Sequence, residues 1–339
     1  MKIKIVSPSG AIDPQYIDRA TEVLRGWGYE VSEAAHARGK VGRFAASDEE
    51  RVADIAEALT DPAVDMILCA RGGYGLQRII DRIPPIHKPI IGFSDITALH
   101  MLAAQTGQAT IHAMMCKGIS ETKGLSPSSC VLHPSSFLQQ ALAQEPLHYE
   151  LPAHPLNRAG KIKGTLIGGN LSVLYGLQGT AYGLDERLRI KDKRLNSNDF
   201  KEVRSLGRTQ YKDASETKVT SPSSCVLHPS SSAILFIEDV GERHYHIDRM
   251  MNNLRLSGVL ANLSGLIVGQ FSDCEDDPSM GCTVYETIRR AVEPYHYPVV
   301  FNFPAGHVEE NMPLYLNAPV EIDVREDYSS SIHSFFKSS

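Results

Sequence analysis

The chain has 339 residues, long for one core, so two domains are expected. Hydrophobic residues make up 42% and charged residues 22%, as in an ordinary soluble globular protein, and a net charge of −6 without any Lys/Arg run argues against a nucleic-acid partner. No segment approaches the ~20 apolar residues needed to cross a bilayer, and the apolar run in MKIKIVSPSG is too short for a secretion signal.

In chain order, KIKIVSPSG reads as a strand running into a loop, and DPQYIDRATEVLRGWG as a helix ended by glycine. SDEERVADIAEALTDPAV opens with a Ser/Asp cap and an acidic first turn, which marks a helix. DMILCARGGYG is a buried-type strand entering a glycine loop, and LQRIIDRIP a short helix. KPIIGFSD is another strand and ITALHMLAAQTG the helix after it. Strands alternating with helices predict a parallel sheet covered on both faces, an α/β domain of the Rossmann/flavodoxin-like type over residues 1–115.

Residues 116–160 are rich in Ser and Pro and show no clear period apart from SSFLQQALAQ, so they are expected to form a linker. A second domain over 161–339 restarts with KIKGTLIGGNLSVLYGLQGT, a strand, glycine loop and helix. AILFIEDVG, HIDRMMNNLRLSG, LSGLIVGQFSD, TVYETIRRAVEP and YPVVFNFPAGH continue the alternation. PLYLNAPVEIDV alternates like an antiparallel pair, giving this second α/β domain a mixed sheet.

SETKGLSPSSCVLHPSS (120–136) recurs as SETKVTSPSSCVLHPSS (215–231), differing only at Gly124/Val219 and Leu125/Thr220. Two copies do not make a solenoid, which needs at least ~3 stacked units. Cys130, His133, Cys225 and His228 together have the donor types of a tetrahedral zinc site, but the flanks are loop-like and nothing visible fixes their approach. A duplicated surface insert without metal is the preferred reading. Six cysteines without a secretion signal fit a reducing compartment, and the cytoplasm is the expected address.

Gly72-Gly73-Tyr74-Gly75, Gly92-Phe93-Ser94-Asp95, Gly168-Gly169-Asn170, Glu238-Asp239 and Gly306-His307 each follow the C-terminal end of an expected strand. Ligands bind at that edge of open α/β sheets. Hydrolysis of an acyl bond by serine needs a serine on a tight turn, a histidine base, a carboxylate to orient it and N–H groups for the oxyanion. Ser94, at the strand-to-helix transition, meets the first need, although capping is the simpler role for Ser94 or Asp95. The Asp95 amide is a natural oxyanion donor, with Gly72 or Gly73 as the second. Among thirteen histidines His307 stands at the functional edge, with His112 its main rival, and Glu238 ends an apolar run while Asp239 and Glu242 lie farther into the turn.

RGGYG, KPIIGFSDITALH, GTLIGGNLSVL, LFIEDVGERHYHIDRMMNNLRLSG, GLIVGQFSDC and PAGHVEENMPL, in this order, resemble the L,D-carboxypeptidase family of serine peptidases, which includes muramoyltetrapeptide carboxypeptidases and microcin-immunity hydrolases. The resemblance implies Ser94 as nucleophile on the N-terminal domain, and Glu238 and His307 on the C-terminal one. It further implies the Asp95 and Gly73 amides as oxyanion hole and Asn170 on the substrate side. The implied enzyme is a cytoplasmic homodimer without metal or other cofactor, acting on a small muropeptide. Two departures stand out: a polar, Ser-rich insert over 190–232, directly before the strand carrying Glu238, and HAMM at 112–115 where the family has His-Gly-Pro.

Overall fold

The computed structural model describes residues 1–122, 134–189 and 233–336. The first elements are β1 (Lys2–Val6), α1 (Pro14–Gly26), β2 (Glu30–Glu33), α2 (Asp48–Thr60), β3 (Met66–Cys69), β4 (Ile90–Gly92), α3 (Thr97–Thr106) and β5 (Thr110–His112). Each residue of β3 and β4 is buried, as strands covered by helices on both faces must be. The helices start where capping chemistry puts them. The Asp13 side chain accepts from the Gln15 amide ahead of α1, with Pro14 in the first turn. Ser47 and Glu50 form a reciprocal capping box on α2. LQRIIDRIP differs from expectation: it forms two 3₁₀ turns, Leu76–Arg78 and Ile80–Arg82, because Pro84 and Pro85 stop the run before an α-helix can propagate.

The stretch expected as a linker carries more structure than that. It contains α4 (Cys116–Glu121), α5 (Pro134–Leu142) and β6 (Leu147–Leu151). The first four residues of β6 alternate buried and exposed, and the strand pairs antiparallel with a late strand of the second sheet, so this segment contributes an edge rather than a bare tether. Next come β7 (Gly160–Asn170), α6 (Leu171–Leu177), α7 (Leu184–Arg189), β8 (Ala233–Val240), α8 (His244–Leu256), β9 (Gly265–Ser272), α9 (Val284–Ala291), β10 (Val299–Val300), β11 (Leu314–Leu316), β12 (Ala318–Val324) and β13 (Ser330–Ser334).

The first sheet has the order β11-β5-β4-β3-β1-β2, parallel except for β11. Its winding reverses at β1, which lies between β2 and β3. The second sheet, β10-β9-β8-β7-β12-β13-β6, is mixed: β10 through β7 run parallel and the rest antiparallel. PLYLNAPVEIDV does not pair with itself. β11 joins the first sheet against β5 and β12 joins the second against β7. The chain crosses between them at Asn317, whose φ of 58° lies in the left-handed region that asparagine tolerates. Asn317 ties the sheets, donating through Nδ2 to the His100 carbonyl at 2.9 Å and through its own N–H to the Leu166 carbonyl at 2.7 Å.

The insert 190–232 and the possible ligands Cys130, His133, Cys225 and His228 lie outside the described residues. β8 begins directly after that insert and still pairs in register with β7, from Thr165 opposite Ala233 to Asn170 opposite Glu238. Among the described residues no helix is long and apolar enough to cross a membrane, and no three His, Cys, Asp or Glu side chains are grouped to hold a metal ion.

Candidate active site

Ser94 sits two residues beyond the end of β4 with φ 65°, an uncommon conformation for a side-chain-bearing residue. Such strain persists only when neighbours over-determine it, and here they do. Gly72 lies so close that a β-carbon there would stand 2.7 Å from Ser94 Cβ and 3.0 Å from its Oγ. The carboxylate of buried Asp95 accepts from Ser9 Oγ at 2.5 Å and from the Leu76 amide at 3.0 Å. Burial raises the Asp95 pKa, while the Ser9 and Leu76 hydrogen bonds and the Arg51 charge oppose the shift. One carboxylate thus binds the serine turn to the loop after β1 and to the glycine loop after β3.

His307 Nδ1 lies 2.8 Å from Glu238 Oε2. Glu238, near the end of β8, has a fully buried side chain, and its other oxygen has no hydrogen-bond partner among the described residues. The His307 ring is one-fifth exposed. Gly306 (φ 136°) lets the loop close on the carboxylate, because a β-carbon there would stand 3.0 Å from Glu238 Oε2. Asn311 Oδ1 accepts the Gly306 N–H at 3.0 Å and holds the loop from the other side.

The two halves meet at Phe93, next to the serine, whose ring packs edge-on against His307 with centroids 4.8 Å apart. No hydrogen bond joins Ser94 to His307 in this structure. Catalytic hydrogen bonds in unliganded enzymes are often long and tighten on substrate binding. The N–H groups of Gly73 and Asp95 have no protein acceptor among the described residues, and Gly73 stands in an exposed left-handed turn (φ 108°). Both remain available to an oxyanion.

The rival residues are otherwise engaged. His112 is buried with neither ring nitrogen hydrogen-bonded, and burial, followed by the neighbouring His100 and His307, holds its pKa well below the ordinary value. No carboxylate orients it, so it serves as packing between Phe93 and Phe236. Asp239 accepts from Asn170 Nδ2, Ser172 Oγ and the Ser172 amide; burial lifts its pKa to about 6, helped by the Glu238 charge and opposed by those bonds. Glu242 meets His246 Nδ1 at 2.9 Å. Asn170, expected on the substrate side, has protein partners at each of its polar groups. Its side chain is buried, with Nδ2 on Asp239 and Oδ1 capping α6 at the Val173 amide, while its backbone N–H donates to Thr97 Oγ1 at 2.9 Å. It joins the second sheet to the helix that follows Ser94.

Residues 3–113 match the model of the LD-carboxypeptidase N-terminal domain, and residues 217–322 that of the LD-carboxypeptidase C-terminal domain. The chain belongs to the LD-carboxypeptidase family. The murein tetrapeptide carboxypeptidase of Pseudomonas aeruginosa is 24% identical over 325 residues, covering 91% of this chain and 89% of that protein. The crystal structure of muramoyltetrapeptide carboxypeptidase from Oxalobacter formigenes superposes with a TM-score of 0.76 at 23% identity, covering all of both chains. The microcin C7 self-immunity protein MccF in its wild-type apo state gives a TM-score of 0.73 at 18% identity, covering 99% of this chain and 97% of that one. These two structural likenesses establish the two-domain fold that this chain shares with them.

Four contributors escaped the reading of residues. Ser9 and Gly10, after β1, reach the site through Asp95 and through the Gly10 N–H to the Gly72 carbonyl at 3.0 Å. Thr97 receives the Asn170 amide, and Asn311 holds the His307 loop. In the sequence Ser9 and Gly10 are signalled only by their place after a strand end, Thr97 by its place one helical turn after Ser94, and Asn311 by its place four residues after His307.

Proposed function

We propose that this chain is a serine-type L,D-carboxypeptidase that hydrolyses the amide to a terminal D-amino acid, D-alanine on a murein tetrapeptide. His307 Nε2 takes the Ser94 proton as Oγ attacks the carbonyl carbon, and Glu238 fixes the tautomer with the proton on Nδ1 and stabilises the imidazolium. The Asp95 and Gly73 amides receive the oxyanion. His307 then returns the proton to the leaving amine, and water releases the acyl group by the same steps in reverse order. The observation that carries this reading is the 2.8 Å contact of His307 Nδ1 with buried Glu238, one ring-packing distance from the strained Ser94 turn. The proposal places the enzyme in the cytoplasm as a homodimer, in peptidoglycan recycling, without a metal.

The likeness in fold to MccF supports a second reading, in which the same groups cleave a peptidyl-nucleotide antibiotic. Incubation with murein tetrapeptide, alongside Ser94→Ala, separates the two. Release of D-alanine by the parent and not by the variant is expected. Cleavage of a peptidyl-nucleotide with no D-alanine release selects the second reading, and cleavage of neither selects a non-catalytic binding protein.

A further inference from the structure

The site described so far leaves one neighbouring cavity unused. Its volume is about 610 Å³, and its lining includes Gly10, Arg38, Lys40, Arg43, Arg71 and Gly73. It lies where the loops after β1 and β3 come together, and those strands flank the point at which the first sheet reverses its winding. The crevice outside the carboxyl ends of strands at such a reversal is where open α/β sheets take ligands. The cavity also adjoins the reaction centre. Gly73, the expected oxyanion donor, is part of its wall, and Gly72 touches Ser94.

Its charge runs against that of the chain. The formal net charge is −6, yet four cationic side chains line this cavity with one carboxylate, Asp13. Asp13 is occupied in capping α1, accepting from both the backbone and side-chain nitrogens of Gln15. Arg38 is held by Glu33 and Asp18. Lys40, Arg43 and Arg71 have no carboxylate partner among the described residues. Arg71 Nη1 donates to the Ala11 carbonyl at 2.8 Å, and the Arg43 guanidinium lies 5.7 Å from the Tyr74 ring centre. Three unneutralised cations around one concave space make a receptor for an anion.

The proposed reaction brings such an anion to this place. In the amide to a terminal amino acid, the free carboxylate carbon stands only about 3–4 Å from the carbonyl carbon under attack. A carbonyl placed over Ser94, with its oxygen on the Gly73 amide, therefore carries its terminal carboxylate to the rim of this cavity. We infer that Arg71, assisted by Arg43 and Lys40, binds the free α-carboxylate of the departing amino acid and restricts the enzyme to chain ends. This inference rests on the hydrolase reading above and adds the determinant that makes the activity exo-acting.

The test compares murein tetrapeptide with the same peptide bearing a C-terminal carboxamide, using the full chain and the variants Arg71→Ala, Arg71→Lys and Arg43→Ala. The parent is expected to prefer the free acid by roughly tenfold to a hundredfold in kcat/KM, the range of one or two charge-assisted hydrogen bonds. That ratio should shrink in both alanine variants, chiefly through a higher KM for the acid, and recover in part in Arg71→Lys. Arg43→Ala keeps the test open if loss of the Arg71 bond to Ala11 impairs folding. Equal cleavage of acid and amide by the parent, or a ratio unchanged in both alanine variants, overturns the carboxylate site and leaves the hydrolase reading standing. A parent that cleaves neither peptide overturns the L,D-carboxypeptidase reading, and the carboxylate site falls with it.

Discussion

Replacing Glu238 by Gln should move activity and stability in opposite directions. The glutamate side chain is fully buried, one oxygen contacts His307 Nδ1 at 2.8 Å and the other has no partner among the described residues. Without Glu238 the imidazolium that forms in the transition state loses a charge-assisted hydrogen bond worth about 1.5–3 kcal/mol, and at ~1.4 kcal/mol per tenfold that is a loss of about tenfold to a hundredfold in kcat. The lower part of that range applies if the Gln oxygen still accepts from Nδ1, and the upper part if the amide turns and selects the wrong tautomer. The folded protein, meanwhile, loses a buried carboxylate whose second oxygen is unpaired, a group whose burial costs about 1–3 kcal/mol. Urea unfolding should therefore show Glu238→Gln as stable as the parent or more so, by up to about 2 kcal/mol. The paired assays are D-alanine release and chemical denaturation. Activity within tenfold of the parent, or a destabilisation beyond about 2 kcal/mol, would refute the argument that Glu238 is retained for His307 at the expense of stability.

Two further perturbations follow from the same geometry. Gly72→Ala places a methyl 2.7 Å from Ser94 Cβ and 3.1 Å from the Phe93 carbonyl oxygen, so the serine turn must shift by some tenths of an ångström. A fall in kcat of about tenfold to a hundredfold is expected from a displaced nucleophile, with far-ultraviolet circular dichroism unchanged; full activity would show that the turn is not held by this contact. His100 is buried, donates through Nε2 to the Gly92 carbonyl oxygen, and has its pKa lowered to about 4, mainly by burial. Its folded pKa lies below the unfolded value of ~6.5, so the unfolded state binds the extra proton first and stability is lost as pH falls from about 6.5 to 4. That loss amounts to about 3 kcal/mol at full effect, and His100→Gln should flatten the unfolding free energy across that window; an unchanged slope would contradict it.

Much of this was legible because local chemistry and global fold agree. The capping signals before α1 and α2, the wholly apolar β3 and β4, and the loops at strand ends each placed an element or a candidate residue. Less legible were features decided by partners distant in sequence. Alternation in PLYLNAPVEIDV marks strands but not their sheets, and the left-handed Asn317 divides them. The short β6 shows its role only beside β13. The partners of Asn170, Asp239 and the Val173 amide, likewise show only in the coordinates. Arg71 stands in RGGYG beside the glycines that point to an oxyanion hole, but its place in a neighbouring cavity shows only in the coordinates.

The most direct measurement is mass spectrometry of the protein quenched in acid during turnover of murein tetrapeptide. An acyl adduct of the peptide minus D-alanine should appear on the fragment containing Ser94 and be missing from Ser94→Ala. Steady D-alanine release from Ser94→Ala, or an adduct on any other residue, would contradict the account.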